Sequence, residues 1–446
     1  MSFAFVSAAG HRASLHIAHC LLVALLLPWS ATASSNELLP TSENGWTPFS
    51  ARPQTEPETS VWYYNSSYVL NTYATGSENV YGGWRTTVND LQGNQYYRFR
   101  ARAKTQGIDS IRESVTIQLR WKGNFGGEVT PDYVWDYETL ADGTIQYDRT
   151  VQAPPGTTGV DVELILQWTP YGVLDVGELS LQPASAPPSR PVRVAGIYYR
   201  PWNTASGVLS VQQAADYGRQ VAAEHGPDVM VFGELLNVIG AAGGMEGNAE
   251  TIPGPSTQIM AALARDTGSY VAVGLLENLD GQLRNTAVLI DRNGEIAGKF
   301  HKVQLPESDA AAGIMPGNTV PVFETDLGRV ALLICHDISF PEPAREAALQ
   351  GAELVLLPIW GGKQALVQAR AIENSMYIVS SGYDYASDII DPMGEVLDDV
   401  AAINSGPRVA IADIDLSRRY REDFLGDWRD IANKQRRETP YIYEVP

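Results

Sequence analysis

The chain has 446 residues, of which 32 are Lys or Arg and 52 are Asp or Glu, so its formal net charge is −20. That length is enough for two hydrophobic cores, and two domains are predicted. So acidic a chain repels phosphate backbones, which excludes nucleic acid as an expected partner. Its two cysteines and six histidines form no cluster typical of zinc sites, so neither a metal nor a cofactor is predicted.

Residues 1–33 have the pattern of a secretory signal peptide. Arg12 precedes the apolar stretch Ile17–Pro28, and small residues follow up to Ala33, where cleavage is expected. An uncleaved anchor is the alternative, but the apolar run is short for the ~20 residues that a bilayer span needs. We therefore predict export, to the periplasm or outside the cell, and loss of Cys20 with the signal peptide.

Residues 36–182 read as short strands separated by Gly and Pro turn signals. The clearest are Tyr96–Arg102, Val115–Trp121 and Val160–Trp168. In the last, apolar residues from Val160 to Trp168 alternate with Asp161, Glu163 and Gln167, as expected for a half-buried antiparallel strand. This pattern predicts an all-β sandwich of jelly-roll type.

The same segment is rich in tryptophan, and aromatic-rich sandwiches resemble carbohydrate-binding modules, so a carbohydrate is one predicted partner. The alternative is that the rings fill the core of a small sandwich, since aromatic side chains contribute much buried area. The six tryptophans concerned are Trp46, Trp62, Trp84, Trp121, Trp135 and Trp168.

The Pro-rich stretch 183–191 is typical of a stiff linker and marks the predicted domain boundary. A second domain is predicted over 192–418, followed by a C-terminal tail over 419–446. In the second domain apolar strands alternate with amphipathic helical segments, which indicates an α/β arrangement with buried sheets. The predicted helices include Val211–Glu224, Thr257–Arg265, Pro341–Leu349 and Gln364–Ser375.

Cys335 follows the apolar run Val330–Ile334 and precedes a helix that starts near Pro341. With Cys20 removed it has no intramolecular disulfide partner, so it is a nucleophile, an intermolecular crosslink or buried filler. A position near a helix N-terminus would favour thiolate over thiol, and this favours the nucleophile.

Two charged residues also follow strand-like segments. Glu234 comes directly after Val229–Gly233, where partial desolvation would make its carboxylate a better proton acceptor. Lys302 follows a hairpin-like segment that turns at Asn293-Gly294, and its ammonium could stabilise an oxyanion. The simpler readings are a surface loop acid and a solvated lysine.

The blocks around these residues resemble the glutamate, lysine and cysteine motifs of the nitrilase superfamily, the carbon-nitrogen hydrolases. The resemblance covers about 192–415 and implies an α-β-β-α sandwich with Glu234 as base and Cys335 as nucleophile. Lys302 and the backbone N–H of His336 would hold the oxyanion, and a thioester would form. It also implies a homodimer. The blocks are Val231–Leu235, Gly298–Pro306 and Leu333–Glu342, in that order.

One departure concerns the second glutamate that many members carry shortly before a Pro-Gly pair. The stretch Ala310–Met315 before Pro316-Gly317 has none. Glu307 is the nearest candidate for this second carboxylate, and Asp309 is the next.

Cys335-His336-Asp337 looks more like the amidase and carbamoylase branches than the Cys-Trp-Glu of nitrile-cleaving members, so a linear amide is the favoured substrate and a nitrile the alternative. Two other hypotheses stay open. His301 or His336 could replace Glu234 as the base. Alternatively, the chain could be a non-catalytic glycan- or surface-binding protein with a hydrolase-like body.

Overall fold

A computed structural model describes residues 36–125, 131–402, 406–422 and 426–437. The predicted signal peptide and the last residues of the predicted tail lie outside these ranges. Over the described ranges, no helix combines the length and apolar character needed to cross a bilayer.

The N-terminal region consists of two antiparallel sheets around one apolar core. The five-stranded sheet has the order β1-β4-β10-β6-β7, and the six-stranded sheet has the order β2-β3-β11-β5-β9-β8. A short helix α1 precedes β6. The jelly-roll and carbohydrate-binding-module assignments stay predictions. The bounds are β1 Thr47–Ser50, β2 Glu58–Tyr64, β3 Ser67–Tyr73, β4 Tyr81–Asn89, β5 Tyr96–Gln106, α1 Ile111–Ser114, β6 Val115–Gly123, β7 Asp132–Tyr133, β8 Tyr137–Thr139, β9 Ile145–Gln152, β10 Thr157–Gln167 and β11 Val173–Ala184.

Strand β10 corrects one sequence expectation. Trp168 was expected on the buried face, but the strand ends at Gln167, and Trp168 adopts a left-handed backbone (φ 54°) with 52% of its surface exposed. The polar face of β10 is also covered. Glu163 is buried, and donors on the neighbouring strands compensate its charge: Arg85 Nε donates to it at 2.7 Å, and Gln118 also donates to it.

The second region has two six-stranded sheets, each with three parallel strands at its centre. Their orders are β16-β15-β14-β13-β12-β23 and β17-β18-β19-β20-β21-β22. The strand bounds are β12 Pro191–Tyr198, β13 Val229–Val231, β14 Tyr270–Leu279, β15 Gln282–Ile290, β16 Ile296–His301, β17 Val322–Thr325, β18 Gly328–Leu332, β19 Leu354–Pro358, β20 Tyr377–Ser381, β21 Ser387–Ile390, β22 Val396–Val400 and β23 Arg408–Asp415.

Helices cover the outer faces of these sheets, while one large core lies between the sheets. Helices α2 and α4 pack on the sheet that contains β12, through residues such as Val211 and Leu263. Segment 185–190 between β11 and β12 forms no helix or strand. The helix bounds are α2 Gly207–His225, α3 Gly244–Asn248, α4 Pro255–Thr267, α5 Glu307–Ala311, α6 Pro341–Leu349 and α7 Gln364–Asn374.

After β23 the chain joins the two regions through short elements, β24 Arg421–Glu422, β25 Gly426–Asp427 and α8 Trp428–Asp430. On the N-terminal region, Asp430 accepts from Trp135 Nε1 (2.9 Å) and from the backbone N–H of Tyr133 (3.1 Å). Buried carboxylates here are neutralised by arginines, as burial of charge requires. We call this group the junction cluster; its members are Asp132, Arg149, Arg419, Arg421, Asp427 and Asp430.

On the second region, the same C-terminal segment is held by polar contacts. The hydroxyls of Tyr420 and Tyr377 lie 2.6 Å apart, and Arg436 Nη1 donates to Asn374 Oδ1 at 2.8 Å. The C-terminal segment therefore contacts both regions.

Replacing Asp430 by Ala should lower the free energy of unfolding by about 3–5 kcal/mol, because Arg149 and Arg419 would lose a buried counter-charge. Urea unfolding midpoints measure this effect. The matched control is Asp148→Ala, which removes the partner of Arg98 from an ion pair that is more exposed than the one Asp430 forms. This change should cost at most about 1 kcal/mol of unfolding free energy. Equal losses in the two variants would contradict the prediction.

Candidate active site

Cys335 lies at a strained turn. Strand β18 ends at Leu332, two fully buried residues follow, and Cys335 then begins a 3₁₀ turn with a left-handed backbone (φ 43°). Such a conformation is costly for a residue with a Cβ and persists only where the surroundings impose it. This strain points to a functional position.

Asp337 imposes that turn. Its buried carboxylate accepts from the backbone N–H of Ile334 (3.0 Å), and also from those of Val303 (3.2 Å) and Gln304 (2.7 Å). Burial raises the pKa of Asp337 to about 7, against the backbone donors that lower it. The side chain therefore ties the cysteine turn to the segment that follows Lys302.

Glu234 lies three residues beyond β13 and is 2% exposed. Its Oε1 accepts two hydrogen bonds, from Lys302 Nζ (2.8 Å) and from Asn285 Nδ2 (2.8 Å). None of the described residues donates to Oε2. One oxygen of the carboxylate is therefore held and the other is left to react.

Lys302 follows β16 and is also 2% exposed. Its Nζ donates to Glu234 Oε1 and, at 2.9 Å, to Asp309 Oδ2. Burial alone would lower the pKa of Lys302, but Glu234, Cys335 and Asp309 together raise it above its ordinary value. The ammonium therefore keeps its charge in a buried site.

The second carboxylate that contacts Lys302 is Asp309, the next candidate in the sequence, and not Glu307, the nearest one. Both residues belong to the short helix α5, but residues two apart on a helix point about 200° away from each other. Asp309 turns inward and is 9% exposed, whereas Glu307 is exposed.

The thiol of Cys335 is not activated by a helix N-terminus. It lies at a five-residue 3₁₀ turn, six residues before the start of α6, and its Sγ donates to the backbone oxygen of Gly361 (3.5 Å). Burial raises its pKa to about 12, the charge of Glu234 adds to the shift, and Lys302 opposes it. The resting group is therefore a thiol that needs a base.

Neither histidine is hydrogen-bonded to that thiol. His301 points to the opposite face of β16 from Lys302, as alternation along an extended chain requires, and its Nε2 lies 3.0 Å from Glu277 Oε2. His336 Nδ1 lies 3.3 Å from the hydroxyl of Ser339. The Cys/His hypothesis therefore has no support in this geometry.

Asn285 and Tyr383 also border the site, and no role was predicted for either. The Tyr383 ring packs against Gly233, where a Cβ would lie 2.4 Å from Tyr383 Cζ, and stands edge-on to Trp360. Among the described residues, the Tyr383 hydroxyl has no hydrogen-bond partner. Asn285 stands between Arg284 and Thr286 in the polar first half of β15, so its residue type did not distinguish it from its neighbours. Tyr383 had no distinguishing signal either.

Within the described ranges, no group of three or more His, Cys, Asp or Glu side chains is arranged to hold a metal ion. What the site contains is a half-buried thiol together with two buried carboxylates and a buried ammonium. Such a set can supply a nucleophile, a proton acceptor and a fixed positive charge.

Comparison with known proteins gives a family match. A profile of the carbon-nitrogen hydrolase family matches residues 191–421. A Schizosaccharomyces pombe protein named as a hydrolase is 31% identical over 227 residues, which cover 44% of this chain and 69% of that protein. Omega-amidase NIT2 of Danio rerio is 30% identical over 251 residues, covering 49% of this chain and 86% of the relative.

Among solved structures, an amidase from Nesterenkonia sp. is similar, with 23% sequence identity and a TM-score of 0.44. The match covers 51% of this chain and 92% of the amidase.

Because the thiol is partly buried and lies near the Glu234 carboxylate, Cys335 should show no thiolate absorbance below about pH 10 in the folded protein. The measurement is an ultraviolet pH titration, with Cys335→Ala subtracted as the control. A thiolate transition at or below about pH 8.5, the value for a free cysteine, would contradict this assignment.

Proposed function

This chain belongs to the carbon-nitrogen hydrolase family, and from that premise we propose that it hydrolyses a linear, non-peptide amide through a thioester on Cys335. The observation that carries the proposal is the position of Lys302, whose buried ammonium bonds both Glu234 and Asp309. A charge so placed beside a thiol suits the stabilisation of an oxyanion.

In the acylation step, Glu234 Oε2 takes the thiol proton while Sγ of Cys335 bonds to the amide carbon. The carbonyl oxygen gains the electron pair and is stabilised by Lys302 Nζ and the backbone N–H of His336. When the intermediate collapses, the C–N bond breaks and the proton on Glu234 passes to the leaving nitrogen. Ammonia or an amine departs and a thioester remains.

In the deacylation step, a water molecule gives a proton to Glu234 and its oxygen bonds to the thioester carbon. The C–S bond then breaks, sulfur leaves with the electron pair, and Glu234 returns the proton to it. The products are a carboxylic acid and the original thiol. One base thus serves both steps, which fits a thiol that stays protonated between turnovers.

An amide is preferred to a nitrile for two reasons. Cys335 is followed by His336-Asp337 rather than Trp-Glu. In addition, two relatives that this chain matches over most of their length are named omega-amidases. The lack of a second glutamate before Pro316-Gly317 would favour the non-catalytic alternative. Asp309 weakens that argument, because its carboxylate contacts Lys302.

We propose export on the pattern of residues 1–33. The intact mass of the protein purified from its native host would test whether these residues are removed. Glycan binding by the N-terminal region also stays a proposal. Trp46, Trp84 and Trp121 are buried in the core, so exposed rings such as Tyr63 and Trp168 are left as stacking surfaces. A homodimer stays a prediction.

Cys335→Ala should abolish turnover of every amide that the wild type hydrolyses, a loss of about 10⁴-fold or more, because no other group can form the thioester. A mixed panel of amides and nitriles, followed by intact-mass spectrometry, would reveal an acyl adduct on the wild type. Full turnover by Cys335→Ala, or the absence of any adduct and any turnover across the panel, would contradict the proposal.

Asp309→Asn should lower kcat by about tenfold to a hundredfold, because Lys302 loses a charged partner that holds its ammonium in place. Glu307→Gln is the matched control on the same helix and should retain activity, since Glu307 is exposed. Steady-state kinetics of the two variants test this. If Glu307→Gln were the impaired variant, the assignment of the second carboxylate would be reversed.

A further inference from the structure

Asn285 has a position that its neighbours in β15 do not share. Its side chain is 1% exposed and faces Glu234, whereas the next residue, Thr286, bonds Glu277 on the other face of the sheet. Alternation along the strand therefore directs only Asn285 into the catalytic group.

This one residue contacts three members of the site. Its Nδ2 lies 2.8 Å from Glu234 Oε1 and 3.5 Å from Asp309 Oδ2, and its backbone oxygen accepts from the backbone N–H of Lys302 at 2.9 Å. The base, the second carboxylate and the lysine are thus all held by Asn285.

The contacts make the two oxygens of Glu234 unequal. Oε1 accepts from both Lys302 and Asn285, while none of the described residues donates to Oε2. Hydrogen bonds to a carboxylate oxygen stabilise its charge and make that atom a poorer proton acceptor. A proton taken from the thiol is therefore best accommodated on Oε2.

We propose that Asn285 is a positioning residue that determines which oxygen of Glu234 acts as the base, by holding Oε1 so that Oε2 is presented to the thiol of Cys335. This rests on the proposed function, because it presumes that Glu234 deprotonates the nucleophile. Asn285 itself touches neither substrate nor sulfur in this role.

The carboxamide suits this position because it donates without adding charge. The buried site holds one ammonium, on Lys302, and two carboxylates, on Glu234 and Asp309. An aspartate at position 285 would add a third carboxylate and increase the excess of negative charge. The amide nitrogen faces the two acids even though Asn285 Oδ1 then has no partner among the described residues. The donor contact therefore determines the orientation of this side chain.

The test compares Asn285→Asp and Asn285→Leu by the rate at which iodoacetamide alkylates Cys335 in the full-length protein as a function of pH. Added negative charge disfavours the ionised base, so Asn285→Asp should move the acid limb of the profile up by about one pH unit or more. Asn285→Leu removes the donor without adding charge and should give a smaller shift, with a lower kcat and a little-changed KM.

The pH profile has a defined set of contributors. Lys302, the thiol of Cys335 and the phenol of Tyr383 interact with Glu234, and Asp309 shares the ammonium of Lys302 with it. All four groups are retained in every variant. A shift therefore reports the change at Asn285.

Asn237 provides the matched control. It is equally buried, at 1% exposure, but its Nδ2 bonds backbone oxygens of Asn248 and Leu276 and the side chain of Glu250, not Glu234. Asn237→Asp and Asn237→Leu should lower the melting temperature and leave the alkylation profile in place.

Folded Asn285 variants with the wild-type profile would overturn the proposal. If Asn285→Asp does not fold, Asn285→Ser, which is smaller and adds no charge, should show the smaller shift that is expected of Asn285→Leu. Because alkylation needs no substrate, failure to find amide turnover would count against the proposed function alone. Turnover with an unmoved profile would count against Asn285 alone.

Discussion

The active site depends on one buried charge, the ammonium of Lys302. An ammonium removed from water must be paired, since an unpaired buried charge costs several kcal/mol, and here Glu234 and Asp309 supply the pairing at 2.8 and 2.9 Å. That requirement brings together four separate pieces of chain: the end of β13, the end of β16, helix α5 and, through Asp337, the turn after β18. The geometry of the nucleophile therefore depends on two things, the pairing of this ammonium and the backbone hydrogen bonds of Asp337.

Much of this arrangement could be predicted because the sequence pattern is local. Glu234, Lys302 and Cys335 each follow an extended segment, and Pro341–Leu349 was predicted as a helix with the bounds that α6 has. Asp309 could not be separated from Glu307, since both are acids on one short turn and only the packing of α5 decides which side faces inward. The pKa of Cys335 was predicted in the wrong direction. It depends on burial and on Glu234, which is 101 positions away in the chain.

The N-terminal region shows the same division between local pattern and long-range packing. Alternation located β10 within a few residues of its observed bounds and identified its apolar face. It also predicted a solvated polar face, but Glu163 is buried there because Arg85 and Gln118 come from neighbouring strands to bond it. Periodicity reports which side chains share a face, while partners distant in sequence decide whether that face meets water.

The C-terminal segment changes how the two regions relate to each other. A flexible connection would let the two regions act as independent domains, one for chemistry and one for attachment, and either could be replaced without affecting the other. In this chain, however, Asp427 and Asp430 belong to the junction cluster, whose other members include Asp132 and Arg149 of the first region. A nick in segment 185–190 would thus leave the halves associated. A recombination event that swapped the first region would have to carry matching charges with it, so the two parts are expected to evolve as one unit.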